Sequence, residues 1–442
     1  MLVLENSEVS MFVSEGLGVN EQGHLTIAGK DAVSIASEYG TPVYVMDEAL
    51  IRKNCRQFRE SFEKYYNGAG MALYASKAFC CKEMCRIAAE ENIGLDVVSI
   101  GELYTALSVG FPAEKIYFHG NNKSHEELEY ALKNHIGCIV VDNIEELENL
   151  DALAEELDET PGIMFRIKPG IDAHTHDFIR TGQIDSKFGL ALETGEALEV
   201  LKRAVSMKHV VLKGVHCHIG SQIFEIDPFR LAAEVMLNLI AELKEETGFE
   251  VEQLNLGGGF GIKYVPENRP VPYEEYVKEV SVVIKETVKR LGLRQPFILI
   301  EPGRSIVGPA GTTLYTIGAV KEIPGVRTYV SVDGGMTDNP RYALYQAKYD
   351  MAIANKARQP KDTIVTVAGK CCESGDLLGE NVSLQPAEAG DILAVFATGA
   401  YNYSMASRYN RTTIPPVVMV KDGESRLAVK RETLEDLTRN DL

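Results

Sequence analysis

Short apolar runs alternate with amphipathic stretches between about residue 70 and residue 304 of the chain. Runs of this length, rich in β-branched and aromatic residues, are typical of buried strands. They lie near Met71–Ala75, Ile93–Ser99, Lys115–Gly120, Cys138–Asn143, Gly162–Pro169, Leu212–Gly220, Gln253–Gly257 and Phe297–Pro302. Helical periodicity fills the intervals, as in Ser124–Asn134, Ile144–Leu157 and Pro228–Thr247. This alternation of eight strands predicts a closed (β/α)8 barrel of TIM type, because no glycine fingerprint follows the first strand to indicate an open sheet.

The pattern changes after Gly303, where β-rich runs separated by Pro, Gly and Asp predict an antiparallel, mainly-β domain. These runs are Gly311–Val320, Val326–Val332, Thr363–Ala368 and Ile392–Thr398. The stretch Asn339–Arg358 is the exception and is predicted to be helical. Because His24–Ile27 also reads as a strand, we expect the N-terminal residues to join this second domain. The predicted division is a barrel domain over residues 46–304 and a β-sheet or β-barrel-like domain formed by residues 1–45 and 305–442.

Composition and charge narrow the possible partners. The 442 residues are 45% hydrophobic and 25% charged, as in an ordinary globular protein, and the net charge of −19 disfavours nucleic acid and anionic membranes as partners. The first lysine is Lys30, so the N-terminal stretch lacks the basic region of a signal peptide. The eight cysteines are scattered without paired CxxC units, which indicates reduced thiols and a cytoplasmic protein. His216 and His218 would share one face of a strand, but no third ligand clusters with them, so we predict no metal site.

Polar residues follow the predicted strands, and in a barrel these strand ends meet at one mouth. Lys77, in YASKA, follows the first strand, where an apolar wall would desolvate its amine and make it nucleophilic. The alternative is a lysine that reaches out to water. The stretch LNLGGGFG places three glycines after the seventh strand, and such a turn can present backbone N–H groups to a phosphate. It can equally be a plain turn.

Two further motifs add chemistry at the same mouth. EPGRS follows the eighth strand and places Glu301 and Arg304 next to the glycines. A carboxylate opposite a heterocyclic nitrogen would keep that nitrogen protonated, as a pyridoxal electron sink requires, although a local ion pair is the simpler interpretation. In HCHIGSQ, His218 could stack on a flat cofactor and Ser221 could bind a phosphate, or either could be a structural barrel residue.

The order YASKA, HCHIGSQ, LNLGGGFG, EPGRS, CCESGD and GAYNYSMAS resembles the diaminopimelate decarboxylase family of fold-type III pyridoxal-phosphate enzymes. The resemblance covers nearly the whole chain. It implies an alanine-racemase-like barrel followed by a β domain, pyridoxal 5'-phosphate as cofactor, and conversion of meso-diaminopimelate to L-lysine and carbon dioxide.

The resemblance also implies residue roles. It assigns to the cofactor Lys77, His218, Ser221, Gly258, Gly259, Glu301, Pro302, Gly303, Arg304 and Tyr401. It assigns to the substrate Arg304, Arg341, Tyr345, Glu373 and Tyr401. Lys77 would hold the cofactor covalently, His218 would stack on its ring, and Cys372 would donate a proton. Arg304, Arg341 and Tyr345 would hold the distal carboxylate, and Glu373 the distal ammonium. In this family Cys372 and Glu373 come from the neighbouring subunit, so a homodimer with shared active sites is expected.

Some residues depart from the family pattern. Asn402 stands where the family more often has glycine, and Pro340 precedes Arg341 where many members place the proline after the arginine. The alternatives that stay open are an ornithine or arginine decarboxylase, a carboxynorspermidine decarboxylase, and a non-catalytic pyridoxal-phosphate carrier or pseudoenzyme. Ornithine and arginine have no distal carboxylate to occupy two arginines, and a single-barrel carrier does not explain the second domain.

Overall fold

The computed structural model describes residues 12–171 and 186–442. Contacts divide the chain into two compact units. The barrel unit comprises the described residues of Arg52–Gly261 together with Arg269–Ile306, and the β unit comprises the described residues up to Ile51, Ile262–Asn268 and Val307–Leu442. The short stretch Ile262–Asn268 thus contributes to the β unit although barrel segments flank it.

The described strands, in chain order, are β1 (Leu17–Val19), β2 (Leu25–Ile27), β3 (Lys30–Asp31), β4 (Val43–Asp47), β5 (Gly70–Ala75), β6 (Gly94–Val97), β7 (Ile116–Phe118), β8 (Cys138–Val141), β9 (Gly162–Lys168), β10 (Leu190–Ala191), β11 (Val211–Cys217), β12 (Gln253–Asn255), β13 (Phe297–Ile300), β14 (Gly311–Ile323), β15 (Arg327–Val332), β16 (Met351–Ile353), β17 (Thr363–Ala368), β18 (Leu377–Leu384), β19 (Ile392–Phe396), β20 (Val417–Lys421) and β21 (Glu424–Val429). The described helices are α1 (Ala32–Tyr39), α2 (Glu48–Tyr66), α3 (Lys82–Glu90), α4 (Ile100–Leu107), α5 (His125–Lys133), α6 (Ile144–Leu157), α7 (Glu196–Ser206), α8 (Asp227–Thr247), α9 (Tyr273–Leu291), α10 (Arg304–Val307), α11 (Arg341–Tyr345) and α12 (Leu434–Thr438).

Eight parallel strands of the barrel unit form a closed ring, in the order β5-β6-β7-β8-β9-β11-β12-β13, with β13 pairing with β5. The predicted TIM-type barrel and its eight strands are therefore confirmed. Side chains such as Leu73, Val140 and Met164 form a buried cluster, as expected for parallel strands covered on both faces. Helix α5 begins at a local sequence signal, because the Ser124 hydroxyl caps it in a capping box with Glu127.

The β unit contains a sheet in the order β18-β17-β15-β14-β4-β20-β21, with β19 pairing with β14 and β16. The predicted mainly-β character is confirmed, but β15 and β17, and likewise β4 and β20, pair in parallel rather than antiparallel. The predicted helix over Asn339–Arg358 is largely wrong. Only α11 is helical in the α sense, because Gln346 ends it in the left-handed region at φ 55°, and Met351–Ile353 then pairs with β19 as a buried strand.

None of the helices that the structure describes is long and apolar enough to cross a bilayer.

Candidate active site

The glycine turn after β12 leaves no room for side chains. Gly257 and Gly259 adopt φ of +69° and +110°. A Cβ on Gly257, Gly258 or Gly259 would lie 2.5, 2.1 or 2.4 Å from a backbone oxygen. The main chain of this turn therefore packs directly against the main chain of neighbouring segments, at distances that only glycine allows. The turn has the form of a backbone cradle for an anionic group.

Lys77 lies just beyond the first barrel strand, in a 3₁₀ turn over Ser76–Ala78. Its side chain is exposed, whereas Ser76 and Ala78 on either side are buried. The expected apolar wall around Lys77 is therefore wrong: the turn carries the amine past the end of the buried strand. Burial raises the pKa values of Asp96 and Glu102, and the nearby Lys77 side chain opposes part of that rise. Lys77 is thus accessible at a polar mouth.

Glu301, which follows β13, is buried, accepts hydrogen bonds from two side chains and has a third at ion-pair distance. His119 Nε2 lies 2.8 Å from Oε1, Asn255 Nδ2 lies 2.7 Å from the same oxygen, and His216 Nε2 lies 3.2 Å from Oε2. Burial alone would raise the pKa of Glu301, but the imidazoles of His119 and His216 and their hydrogen bonds hold it well below its ordinary range. Glu301 therefore remains an anion although its side chain is buried.

The His216 ring beside Glu301 is a neutral donor rather than a cation. Burial lowers the pKa of His216 to about 4, against an opposing effect of Glu301. The ring nitrogens of His119 and His216 and a Glu301 oxygen lie within 4.8 Å of one another, a donor set that could also hold a metal ion. In the structure His216 Nε2 hydrogen-bonds to Glu301 Oε2, and His119 Nε2 lies at ion-pair distance from Glu301 Oε1. The arrangement best suits a carboxylate that presents negative charge to a positively charged ligand atom.

His218 and Arg304 complete the polar barrel mouth. The Gly258 N–H donates to His218 Nδ1 at 3.3 Å, so Nε2 carries the hydrogen of the neutral ring. Burial, followed by the charges of Lys77 and Arg166, holds the pKa of His218 well below its usual range. Arg304, at the start of α10, is buried and donates to the Ser221 hydroxyl at 2.8 Å. An uncharged ring and a guanidinium with its hydroxyl partner thus belong to the same unit as the glycine turn.

A second group of predicted residues lies in the β unit around Arg341. This guanidinium is 8% exposed and donates to the hydroxyls of Tyr264 and Tyr349, at 2.9 and 3.1 Å. It also lies 5.6 and 5.9 Å from the ring centroids of Tyr401 and Tyr345. Burial acts to lower the pKa of Arg341, but the tyrosine hydroxyls outweigh burial and raise it. Arg341 is therefore a buried permanent cation in a tyrosine cage, suited to binding a carboxylate.

Cys372 and Glu373 lie on an exposed turn of the β unit. The Cys372 N–H donates to Asn410 Oδ1 at 2.8 Å, and the Glu373 carboxylate accepts a long hydrogen bond of 3.4 Å from the Gly375 N–H. The described hydrogen bonds of Arg341 run to tyrosines and those of Glu373 are local, so the structure does not bring these two side chains into direct contact. The other predicted residues, Pro302 and Gly303, are buried between Glu301 and Arg304.

Several residues of these groups had no predicted role. His119, Asn255 and Arg166 follow or end barrel strands, and a polar residue at a strand end is the signal that could have identified them. Tyr264 and Tyr349 carry no such signal, because they lie about 80 residues apart in connecting segments, and only the fold makes them partners of Arg341.

Comparisons with known proteins agree with this geometry. Residues 48–308 match the family model described as the pyridoxal binding domain of pyridoxal-dependent decarboxylases. The chain is 52% identical over 432 residues to the diaminopimelate decarboxylase of Bacillus subtilis (strain 168), and the match covers 98% of both chains. The chain belongs to the diaminopimelate decarboxylase family. The resemblance found in the sequence motifs is thereby confirmed.

Solved structures of the diaminopimelate decarboxylase family share the fold. The M. jannaschii enzyme in complex with L-lysine superposes with a TM-score of 0.90 at 36% identity, covering 98% of this chain and 99% of that one. The Helicobacter pylori enzyme complexed with L-lysine gives 0.84 at 31% identity, covering 92% and 98%. As a member of this family, the chain is a pyridoxal-phosphate-dependent decarboxylase, and the glycine cradle and the buried Glu301 anion fit the phosphate and the protonated pyridine nitrogen of that cofactor.

Proposed function

We propose that this protein decarboxylates meso-2,6-diaminopimelate to L-lysine and carbon dioxide, the last step of bacterial-type lysine biosynthesis. The observation that carries the proposal is Arg341, a buried cation in a cage of tyrosines. Diaminopimelate has a carboxylate at the end remote from the reaction, and a buried guanidinium binds such a group through two parallel hydrogen bonds. Ornithine and arginine lack that group and would leave the cation of Arg341 unpaired.

The barrel residues would hold the cofactor. Lys77 supplies the amine for covalent attachment, and its exposure leaves it free to be displaced by the substrate amine. Gly258, Gly259 and Ser221 would bind the phosphate, with Tyr401 as a further ligand, and the neutral ring of His218 would stack on the cofactor. When bound, pyridoxal phosphate accepts the electron pair released as the α-carboxylate leaves.

Glu301 would keep the proton on the pyridine nitrogen. Its pKa, held well below the ordinary range, prevents the carboxyl group from taking that proton for itself. His119, His216 and Asn255 contact both carboxylate oxygens and so orient the anion. These three residues are therefore support for Glu301 rather than groups that exchange protons.

The β unit would supply recognition and the final proton. Arg341, assisted by Tyr345 and by Arg304, binds the distal carboxylate, while Glu373 binds the distal ammonium. Cys372 Sγ donates a proton to the α-carbon after carbon dioxide has left. The two charges at the far end of the substrate are thus matched by groups of opposite sign.

We infer that the protein works as a homodimer with shared active sites. The support is the exposure of Cys372 and Glu373, whose described hydrogen bonds are confined to their own turn and to Asn410. We further infer a functional division into a cofactor domain over residues 46–304 and a recognition domain from the remainder. A cytoplasmic location is supported by the eight free thiols.

The decisive experiment measures carbon dioxide and L-lysine formed by purified protein with pyridoxal phosphate. Parallel reactions contain meso-diaminopimelate, ornithine, arginine or carboxynorspermidine at equal concentration. We expect diaminopimelate to be preferred by at least about a hundredfold in kcat/KM, because each alternative leaves a buried charge unpaired. A preference for carboxynorspermidine, ornithine or arginine would refute the proposal. Binding of the cofactor with no reaction on any substrate would favour a carrier.

A further inference from the structure

The CCESGD motif contains a buried carboxylate that the proposed reaction does not use. Asp376 is 3% exposed and follows the exposed turn that carries Cys372 and Glu373. A buried carboxylate is costly unless several donors surround it, so its partners indicate what it holds in place. These partners come from two separate segments of the β unit.

Each oxygen of Asp376 accepts a short hydrogen bond from a backbone N–H. Met336 donates to Oδ1 at 2.6 Å, and Cys371 donates to Oδ2 at 2.7 Å. We call these two bonds the Asp376 bridge. The main chain of Asp376 adds to it: its N–H donates to the Glu373 carbonyl at 3.1 Å, and its carbonyl accepts from Gly369 at 2.9 Å. Charge-assisted bonds of this length are among the strongest in proteins.

The backbone on both sides of the bridge is shaped for this carboxylate. A Cβ on Gly335 would lie 2.4 Å from Asp376 Oδ1, and a Cβ on Gly369 would lie 2.3 Å from both oxygens. Lys370 N–H donates to the Gly334 carbonyl at 2.9 Å, which closes the two segments against each other. Two glycines at contact distance show that the carboxylate is enclosed rather than placed at a surface.

The segment bound through Met336 leads directly to the Arg341 cage. The Gly335 carbonyl accepts from Asn339 at 2.8 Å, two residues before Arg341. The Thr337 carbonyl accepts from the Ser407 N–H at 2.8 Å, beyond the Tyr401 turn. The loop that contains Gly335 and Thr337 therefore contacts the segment before Arg341 and the segment after Tyr401. The Asp376 bridge joins this loop to the turn that carries Cys372.

We propose that Asp376 is a positioning residue for the decarboxylation: its carboxylate fixes the turn that presents Cys372 and Glu373 and ties it to the loop that leads into Arg341. The proposal rests on the proposed function of those three residues. The Asp376 carboxylate also makes the adjacent thiols of Cys371 and Cys372 differ in their environment. Burial, with the charge and hydrogen bond of Asp376, raises the pKa of Cys371 to about 11, whereas Cys372 is exposed. The bridge thus holds Cys371 as an inert thiol and leaves Cys372 to react.

The test compares wild-type holoenzyme with Asp376→Asn, which keeps the shape but replaces one accepting oxygen by an NH2 group that faces an N–H. We expect kcat/KM for meso-diaminopimelate to fall at least about tenfold while the visible absorbance of the bound cofactor is retained. The matched control is Asp391→Asn. Asp391 is also buried in the β unit and accepts from the Glu388 N–H at 2.8 Å, so its loss should lower stability and leave kcat/KM unchanged.

A double-mutant cycle separates positioning from general destabilisation. In a Cys372→Ala background, Asp376→Asn should lower the residual kcat/KM by a smaller factor than in the wild-type background, because the part of the effect that acts through Cys372 is already lost. An equal fold-loss in both backgrounds, or a folded Asp376→Asn enzyme with wild-type kcat/KM, would overturn the proposal. If Asp376→Asn does not fold, Gly369→Ala serves instead, since its Cβ displaces the same carboxylate.

A chemical readout does not depend on the reaction. Iodoacetamide labelling at pH 8, quantified on peptides, should show the ratio of Cys371 to Cys372 labelling rising on the order of tenfold in Asp376→Asn. An unchanged ratio would show that Asp376 does not hold the turn. An inactive wild type would refute the proposed function, and the labelling ratio would still decide whether the Asp376 bridge exists.

Discussion

The two units solve the problem of a buried charge in opposite ways. In the barrel unit an anion, Glu301, is surrounded by side chains that lie at or just beyond the ends of parallel strands. In the β unit a cation, Arg341, is surrounded by tyrosines from connecting segments. Glu301 contacts three polar side chains through its two oxygens. Arg341 contacts only hydroxyl groups and aromatic ring faces among its described partners, so its positive charge can still bind a carboxylate. The first arrangement suits a permanent cofactor and the second suits a substrate that comes and goes.

The largest effect should come from Lys77→Ala. Without the amine that attaches the cofactor, activity should fall at least about a thousandfold, because covalent catalysis is lost. Wild type reduced with borohydride should carry the cofactor on the peptide that contains Lys77, and the variant should not be labelled. Lys82→Ala, an exposed lysine at the start of α3, is the control and should behave as wild type. Label on another lysine would refute the assignment.

Glu301→Gln removes the negative charge while keeping the shape of the side chain. We expect kcat to fall about a hundredfold, since a preorganised charge in a dry site has effects of that order. Glu250→Gln is a matched control in the same unit, because Glu250 is ion-paired with Lys244 and Arg294 away from the mouth. Steady-state kinetics with saturating cofactor make the measurement. Unchanged kcat in the Glu301 variant would show that the anion is structural.

Arg341→Ala tests the buried cation of the β unit, as Glu301→Gln tests the buried anion of the barrel unit. Removing one partner of a desolvated charge pair costs about 2–5 kcal/mol, so kcat/KM for diaminopimelate should fall at least about thirtyfold. Cofactor absorbance should be retained, because Lys77, His218 and the glycine turn lie in the barrel unit. The control is Arg327→Ala, which removes an arginine of the same unit that pairs with Glu380. Normal kinetics in a well-folded Arg341→Ala protein would exclude the distal-carboxylate role.

Hybrid dimers test whether Cys372 and Glu373 serve a neighbouring copy. Mixing Lys77→Ala with Cys372→Ala subunits, each strongly impaired alone, should restore about a quarter of the wild-type activity, since half of the dimers are hybrids with one intact site. Exchange is verified by mass spectrometry of differently tagged subunits. No recovery after verified exchange would place both residues in the site of their own chain.

The smallest effect concerns stability and pH. The pKa of His216 is about 4 when folded and about 6.5 when unfolded, so between these values the unfolded state binds the extra proton. This contribution to stability is fully present above pH 6.5 and is lost as the pH falls towards 4. We expect the free energy of unfolding to decrease by on the order of 2 kcal/mol from pH 7 to pH 5 through His216. Denaturant titrations should show a shallower dependence in His216→Gln, but an unaltered one in His125→Gln at an exposed position.

The barrel was predictable from sequence because each of its strands is buried on both faces and reads as an apolar run between turn residues. Asn339–Arg358 was mispredicted for a related reason. Its apolar residues fit a helical period, but Met351–Ile353 is recruited by β19, a partner that lies about 40 residues further along the chain. Tertiary pairing of this kind overrides a local period.

The candidate site was predictable where a motif is continuous and unpredictable where the site depends on register. EPGRS and LNLGGGFG each contain their functional residues within a few consecutive positions, so Glu301 and the glycines could be predicted from the sequence. That His119 and Asn255 both reach the same Glu301 oxygen depends on how three strands, β7, β12 and β13, align across the barrel, which composition does not reveal. The polar surroundings of Lys77 were mispredicted because the 3₁₀ turn after β5 carries no strong signal.

The strand pairings that close both units have a consequence for biosynthesis. The barrel is sealed only when Ile298 pairs with Gly70, and in the β unit β4 lies between β14 and β20, with Tyr44 opposite both Thr313 and Val417. The strand β4 leaves the ribosome early, yet one of its neighbours is made close to the end of translation. Because pairings between distant segments are slow to form and leave strand edges exposed meanwhile, neither unit can mature in order along the emerging chain. A nascent chain stalled before residue 417 would keep β4 unsealed on one side and would be a substrate for chaperones.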